Sequence, residues 1–93
     1  MGHQSVPQSS DSNVTVVLPA KNEAGGVGPL VTEILGAGHE VIVVDGHSTD
    51  ETRARASVAG ARVVLDNGRG KGDGYRVGLK EARGEIVVFM DSD

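Results

Sequence analysis

The sequence predicts an α/β domain built on an open, doubly wound parallel sheet. Short runs of β-branched and aliphatic residues alternate with longer mixed stretches that have helical spacing. Those runs are continuously apolar, as in strands that are buried on both faces. A strand–helix–strand unit repeated three times favours right-handed parallel crossovers. We therefore expect four parallel strands in the order 3-2-1-4, with the switch point beside the first strand.

The elements follow from these runs in chain order. Four strands are expected, at residues 14–18, 41–44, 62–65 and 86–89. Three helices are expected between them, at about residues 27–35, 48–60 and 73–83. Glycines after the helices act as stop signals. At the start of the second helix Ser48 or Thr49 is the expected cap, and Asp50 and Glu51 suit the positive end of the helix dipole.

Composition and charge exclude several classes of protein. The 93 residues are 38% hydrophobic and 24% charged, which is ordinary for a soluble α/β unit. A net charge of -4 argues against a nucleic-acid surface, which is normally basic. The chain has no cysteine, so it has neither disulfides nor thiolate chemistry. We find no signal peptide and no transmembrane run, and we expect a cytoplasmic protein.

The two ends of the chain lead to separate expectations. Residues 1–12 are polar and rich in Ser and Gln, as in a flexible leader or tag remnant. Residues 13–93 read as the front part of a larger domain, because nothing follows the last apolar run to cover it. In the inferred order the strand at 86–89 is an apolar edge, which predicts self-association of the fragment.

The candidate site begins with an Asp-x-Asp pair directly after the last strand. Asp91 and Asp93 flank Ser92 there. Open α/β sheets bind ligands at the carboxyl ends of their strands, and two carboxylates suit a divalent cation that bridges to a diphosphate. A nucleotide-sugar site is therefore the leading hypothesis. Taken alone, the pattern is more often a turn or a helix cap.

Other loops at the same edge narrow the choice. Residues 19–24 lack the Gly-x-Gly-x-x-Gly pattern of a dinucleotide-binding fold, which argues against a nicotinamide or flavin enzyme. The glycines between 68 and 74 match neither that fingerprint nor a P-loop, although their amides could approach a phosphate. Asp45 ends the second strand, where it is either a ligand contact or a turn residue. His47 is expected to be a loop histidine that faces solvent.

Four segments in order and spacing resemble the family 2 inverting glycosyltransferases of the GT-A fold. They are residues 16–24, 41–52, 70–72 and 84–93. Within that family the chain is most similar to polyprenyl-phosphate (dolichol-phosphate) hexosyltransferases, and next to glucosyl-3-phosphoglycerate synthase. The resemblance covers nearly everything after residue 13.

The resemblance also implies a site residue by residue. The nucleotide-sugar contacts it implies are Pro19, Ala20, Lys21, Glu23, Asp45, Gly46, Lys71, Asp91 and Ser92. Glu23 would bind ribose hydroxyls, Asp45 would contact the base, and Lys71 would approach the diphosphate. Asp93, together with Asp91, would hold Mg²⁺ or Mn²⁺. Lys21 stands where relatives often have an aromatic residue.

The implied reaction is a single inverting displacement from a UDP- or GDP-hexose. The acceptor would be polyprenyl phosphate or a small phosphorylated molecule, and a lipid acceptor would bring the full-length protein to the membrane surface. Residues that activate the acceptor would lie beyond Asp93, so we expect the fragment to be inactive.

Two other classes of protein remain open at this point. A nucleotidyltransferase also uses a parallel sheet and acidic metal ligands, although its usual front loop is Gly-rich and basic. A complete, non-catalytic nucleotide-binding or scaffold module is the other alternative.

Overall fold

The chain folds into a parallel sheet with helices on both faces. The computed structural model describes residues 14–69, 71–83 and 86–89, so the predicted leader lies outside the described residues. The elements in chain order are β1 (Val14–Ala20), α1 (Ala24–Gly36), β2 (Glu40–Asp45), α2 (Thr52–Ala59), β3 (Arg62–Leu65), α3 (Lys71–Glu81) and β4 (Ile86–Phe89). All four predicted strands are confirmed.

The strand order is β3-β2-β1-β4, and every neighbouring pair is parallel. This confirms the predicted order 3-2-1-4. Helices α1 and α2 pack on one face of the sheet, and α3 packs on the other. The connection from β3 to β4 therefore crosses the face opposite to the two earlier connections. The carboxyl ends of three strands are level, because Ala20 pairs with Asp45 and Asp45 pairs with Leu65. The loops that follow these strands therefore start side by side.

One face of the sheet carries an aliphatic core under α1 and α2. The buried residues of this core are Val16, Leu18, Ala20, Val27, Val31, Ile34, Val41, Val43 and Ala56. Successive strand residues point to opposite faces, which is why alternate positions of β1 and β2 enter this core. Burying one such aliphatic side chain contributes about 1.5–3 kcal/mol.

The other face is covered by α3, which lies very close to β1. Its buried core residues are Val17, Ile42 and Val44, with Tyr75 and Val77 packed against them. A Cβ added at Gly78 would lie 2.2 Å from Val17 Cγ1, so only glycine fits there without a shift. A Cβ added at Gly74 would lie 3.5 Å from Pro19 Cβ, which is ordinary contact. Helix α3 can therefore lie against the sheet directly under the end of β1.

The start of α2 differs from the prediction. The helix begins at Thr52, and Glu51 precedes it without a side-chain cap hydrogen bond. Ser48 and Thr49 are therefore not the cap, which corrects the predicted helix start. The physical reason is that the Ser48 hydroxyl donates to Asp45 Oδ1 at 2.6 Å. Asp50 does act at the helix start as predicted, since its Oδ1 accepts the Thr52 N–H at 2.9 Å.

Helices α1 and α3 each begin two to three residues earlier than predicted, at Ala24 and Lys71. Glycines in their first turns weakened the sequence signal. Within the described residues, no helix is long and apolar enough to cross a bilayer.

Candidate functional site

Three loops meet at the carboxyl edge of the sheet. We call them the first loop (residues 21–23, after β1), the second loop (residues 46–51, after β2) and the third loop (residues 66–69, after β3). The loops begin level because of the strand register. This is the edge at which open α/β sheets bind ligands.

The first loop is held by hydroxyl groups from the second loop and α2. The Asn22 N–H donates to Ser48 Oγ at 2.8 Å, and the Glu23 N–H donates to Thr52 Oγ1 at 2.8 Å. Asn22 has a positive φ of 54°. Its side-chain Oδ1 accepts the Thr49 N–H at 2.9 Å, which ties this unusual conformation to the second loop.

Asp45 is the buried carboxylate at the centre of the edge. Asp45 is 0% exposed to solvent. Oδ1 accepts the Ser48 hydroxyl at 2.6 Å, and Oδ2 accepts the Ser48 N–H and Arg53 Nη1, each at 2.8 Å. Burial alone would raise the pKa of Asp45, but the hydrogen bonds from Ser48 and the Arg53 cation outweigh it and hold the pKa below its usual value. Asp45 is therefore charged at neutral pH.

The second and third loops are joined through His47. Its Nε2 lies 2.9 Å from the backbone oxygen of Asp66 and 3.3 Å from Asp66 Oδ1. The His47 side chain is 52% exposed, so the prediction of a loop histidine facing solvent is confirmed. No sequence pattern around His47 indicates that it joins two loops.

The third loop is in turn joined to α3 through Asp73. This buried carboxylate accepts the Asn67 N–H at 2.6 Å and Asn67 Nδ2 at 3.0 Å. These bonds, those from the Asn67 side chain foremost, hold the pKa of Asp73 below its usual value. The sequence predicts Asp73 only as part of a helix. An acid in the first turn of a helix was the available signal.

Five of the predicted nucleotide contacts lie together at the ends of β1 and β2. They are Pro19, Ala20, Lys21, Asp45 and Gly46. A Cβ added at Gly46 would lie 3.5 Å from Lys21 Cβ and 3.7 Å from the Ala20 oxygen, so the two loops approach closely. Pro19 and Ala20 are buried, whereas Lys21 is exposed. Glu23, partly buried, directly precedes α1.

The other predicted contacts are Lys71 and the residues of the Asp-x-Asp pair. Lys71 is the first residue of α3. Asp91, Ser92 and Asp93 lie outside the described residues. Within the described part of the chain, no group of three or more His, Asp or Glu side chains could hold a metal ion. The roles assigned to all these residues, including the metal ligands, stay predictions.

Sequence reasoning missed the residues that hold the site in place. The sequence pattern predicts only that Ser48, Thr52 and Arg53 lie near a helix start, and it indicates no role for Asn22. The available signal was the run of hydroxyl and carboxylate residues after β2, because such side chains readily bind nearby backbone amides.

A cavity of about 350 Å³ lies elsewhere, at the amino end of β1. Its lining is mostly apolar and includes Val14, Val16, Leu30 and Ile34. It shares no residue with the three loops.

Sequence comparison gives the family. The model described as Glycosyl transferase family 2 matches residues 15–93. Glucosyl-3-phosphoglycerate synthase from Mycolicibacterium paratuberculosis is 41% identical over 92 residues, covering 86% of this chain and 28% of the relative. The enzyme of that name from Mycolicibacterium smegmatis is 42% identical, with 86% and 30% covered. The chain thus spans less than a third of the length of these two curated relatives.

Solved structures agree with this assignment. Glucosyl-3-phosphoglycerate synthase from Mycobacterium tuberculosis, in complex with Mn²⁺, UDP and glucosyl-3-phosphoglycerate, superposes with a TM-score of 0.80 at 35% identity, over 94% of this chain and 36% of that one. The same enzyme with Mg²⁺ and UDP gives a TM-score of 0.78 at 34% identity, over 94% and 35%. The chain therefore belongs to glycosyl transferase family 2 and has a GT-A-like fold.

Proposed function

We propose that the chain forms the nucleotide-sugar-binding half of an inverting glycosyltransferase that uses a UDP-hexose. One observation carries the proposal. Hydrogen bonds to side chains of the second loop and α2 fix the first loop, which carries Lys21 and Glu23 and follows the strand end where Ala20 pairs with Asp45, at the ligand-binding edge. Mycobacterial relatives solved with UDP or UDP-glucose support uridine as the base and glucose as the hexose.

The chain's part in the reaction is to position the donor and balance its charge. The backbone of Pro19 to Lys21 lines the base, and Glu23 accepts hydrogen bonds from ribose hydroxyls. Asp45 already accepts three hydrogen bonds within the chain. A carboxylate offers about four lone-pair sites, so one remains, but the Asp45 side chain is 0% exposed, and a base N–H would reach it only if the residues around it move. Asp45 thus serves the site mainly as its buried anchor.

The diphosphate end of the proposed site uses Lys71, the first residue of α3, and residues 91–93, which follow β4 in the chain. Lys71 would bring a compact ammonium charge to the diphosphate. Asp91 and Ser92 would lie along the ribose and diphosphate, and Asp93 with Asp91 would hold Mg²⁺ or Mn²⁺. When bound there, a divalent cation would supply positive charge that stabilises the departing nucleoside diphosphate.

The acceptor is proposed to be a small phosphorylated acid of the phosphoglycerate type. Structures of the Mycobacterium tuberculosis relative contain phosphoglyceric acid or its glucosylated product, which supports this choice. The polyprenyl phosphate predicted from the sequence, and with it a place at the membrane surface, gains no support from the comparisons. The acceptor-binding residues are proposed to follow Asp93, so the 93-residue chain should bind nucleotide without transferring sugar.

Calorimetric titration of the chain with UDP and GDP, each with Mn²⁺ or Mg²⁺, tests the proposal. We expect saturable, metal-dependent binding that favours UDP. Glu23→Gln and Asp93→Asn should each weaken it about tenfold or more, the loss expected for a charge-assisted contact. Glu33→Gln, an exposed acid on α1, is the matched control. Absent binding, or equal binding after Asp93→Asn, would contradict the proposal.

A transfer assay tests the choice of acceptor in the protein that carries this sequence together with its downstream residues. Phosphoglycerate and polyprenyl phosphate are offered separately with UDP-glucose. Glucosylation of phosphoglycerate is expected. Transfer to the lipid alone would restore the acceptor predicted from the sequence. Family 2 membership argues against the nucleotidyltransferase alternative, and absence of transfer to any acceptor would favour the non-catalytic module.

We also propose that the chain self-associates through β4 and resides in the cytoplasm. In the described sheet, β4 pairs with β1 on one side only. An unpaired strand edge exposes N–H and C=O groups that a second copy can bind. Sedimentation over a concentration series should show dimers, and a monomer at every concentration would contradict this.

A further inference from the structure

Three consecutive amide groups at the start of α1 are bound by side chains from the second loop and α2. The bonds run from Asn22 N to Ser48 Oγ at 2.8 Å, from Glu23 N to Thr52 Oγ1 at 2.8 Å, and from Ala24 N to Asp50 Oδ2 at 3.2 Å. Amides at a helix N-terminus have no acceptor inside the helix. These side chains therefore decide where the first loop lies.

The Ser48 hydroxyl is oriented by Asp45. A hydroxyl has one hydrogen and two lone pairs. Ser48 donates that hydrogen to Asp45 Oδ1 at 2.6 Å, which leaves its lone pairs to receive the Asn22 N–H. The position of the Asn22 backbone thus depends on the Asp45 carboxylate, which is linked to it by two successive hydrogen bonds through Ser48.

Arg53 fixes that carboxylate. Its Nη1 donates to Asp45 Oδ2 at 2.8 Å and to the Ser48 backbone oxygen at 3.3 Å. The Asp45 side chain is 0% exposed, while that of Arg53 is 47% exposed. A buried carboxylate requires a compensating charge and hydrogen bonds. Arg53 supplies both, and it binds the two residues that orient the Asn22 amide.

We propose that Arg53 is a positioning residue of the nucleotide site. It acts through Asp45 and Ser48 on the backbone of Asn22, and so on the placement of Lys21 and Glu23 on either side. Arg53 itself need not touch the nucleotide. The inference rests on the proposed function, because it assigns the first loop to ligand binding.

Arg55 offers a matched control in the same helix. It pairs with Glu51 at 3.2 Å, and the two side chains are 55% and 73% exposed. Its contact with the Ala24 oxygen, at 3.5 Å, is at the long limit for a hydrogen bond. Arg55→Ala therefore removes the same charge and the same side chain as Arg53→Ala, without disturbing a buried carboxylate.

The experiment compares the unaltered chain with Arg53→Ala, Arg53→Lys and Arg55→Ala. Amide hydrogen exchange by NMR reports on the first loop, and calorimetry with UDP and Mn²⁺ reports on the site. Arg53→Ala should raise both the exchange rate of the Asn22 amide and the Kd for UDP about tenfold. Arg55→Ala should leave both within about twofold. Arg53→Lys should show a smaller rise in the exchange rate and in the Kd than Arg53→Ala. The reason is that a single nitrogen of Arg53 makes the hydrogen bonds to Asp45 and to the Ser48 backbone oxygen, and lysine also has one charged nitrogen.

Three outcomes would overturn the inference. One is an unchanged Asn22 exchange rate in Arg53→Ala. Another is an equal rise at core amides such as those of Val17 and Val43, which marks general destabilisation. The third is faster Asn22 exchange with an unchanged Kd for UDP. If the unaltered chain binds no UDP, the proposed function is wrong, and so is the inference that Arg53 affects UDP binding. The exchange rate of the Asn22 amide then decides by itself whether Arg53 holds the first loop.

Discussion

The two sides of the carboxyl edge are held by different physical means. On the side of β1 and β2, polar side chains bind backbone amides of the first loop around the buried Asp45. On the side of α3, a helix lies against the sheet because Gly78 has no side chain to meet Val17. Substitutions that remove a hydrogen-bonding group should therefore destabilise the first side most. Substitutions that add a side-chain atom should destabilise the second side most.

Gly78→Ala should have the largest effect of the changes considered. The added methyl would lie 2.2 Å from Val17 Cγ1. Overpacking a filled core typically costs about 1–3 kcal/mol, and because this overlap is severe we expect a loss of about 3 kcal/mol in the free energy of unfolding. Urea unfolding followed by circular dichroism measures it.

A control and a double variant sharpen that test. Gly72→Ala lies in the same helix, where an added Cβ meets nothing within 4 Å, so it should be neutral or stabilising by about 0.5–1 kcal/mol. Val17→Ala removes the clashing methyls, so Gly78→Ala should cost less in that background than in the unaltered chain. Equal costs in both backgrounds would mean that steric contact does not set the position of α3.

Asp45→Asn should have the next largest effect. The amide has half the acceptor capacity of the carboxylate and leaves donors of Ser48 or Arg53 without an acceptor. We expect a loss of about 2 kcal/mol, limited because water can reach the half-exposed Arg53. Urea unfolding measures the loss, with Glu33→Gln as control. A change within about 0.5 kcal/mol, the usual range for surface sites, would show that Asp45 is not an anchor.

Acidification should weaken the hydrogen-bonded side by a smaller amount. Folding lowers the pKa of Asp45 below its value in the unfolded chain, because hydrogen bonds from Ser48 and the Arg53 cation outweigh its burial. Its contribution is fully present above the unfolded value and is lost as pH falls through the folded value. The stability difference between the unaltered chain and Asp45→Asn should therefore be constant above about pH 5 and shrink below about pH 4. A difference that does not change with pH would contradict an ionised Asp45.

The smallest effect is expected for Arg55→Ala. The pair with Glu51 is exposed on both sides and spaced i,i+4 along α2. Such pairs contribute about 0.3–0.5 kcal/mol, and salt should reduce this further. Unfolding at low and high salt measures it. A loss equal to that of Arg53→Ala would remove the distinction between an exposed ion pair and one that holds a buried carboxylate.

The sequence by itself determined the sheet and the edge at which the site lies. Continuous β-branched runs separated by helix-length stretches fixed strands, helices and strand order, because periodicity and crossover handedness leave few alternatives. The same rules placed Asp45 at a strand end, where ligands bind. These features depend on local pattern, and they were readable before any contact was known.

Only the tertiary structure decided what each polar residue after β2 does. Ser48 was expected to cap α2, and instead its hydroxyl joins Asp45 to the Asn22 amide, 26 residues away in the chain. The role of Arg53 and the need for glycine at position 78 likewise arise from partners on other elements. Hydroxyl, carboxylate and guanidinium groups can bind many partners, so their choice depends on which groups the fold brings within about 3 Å.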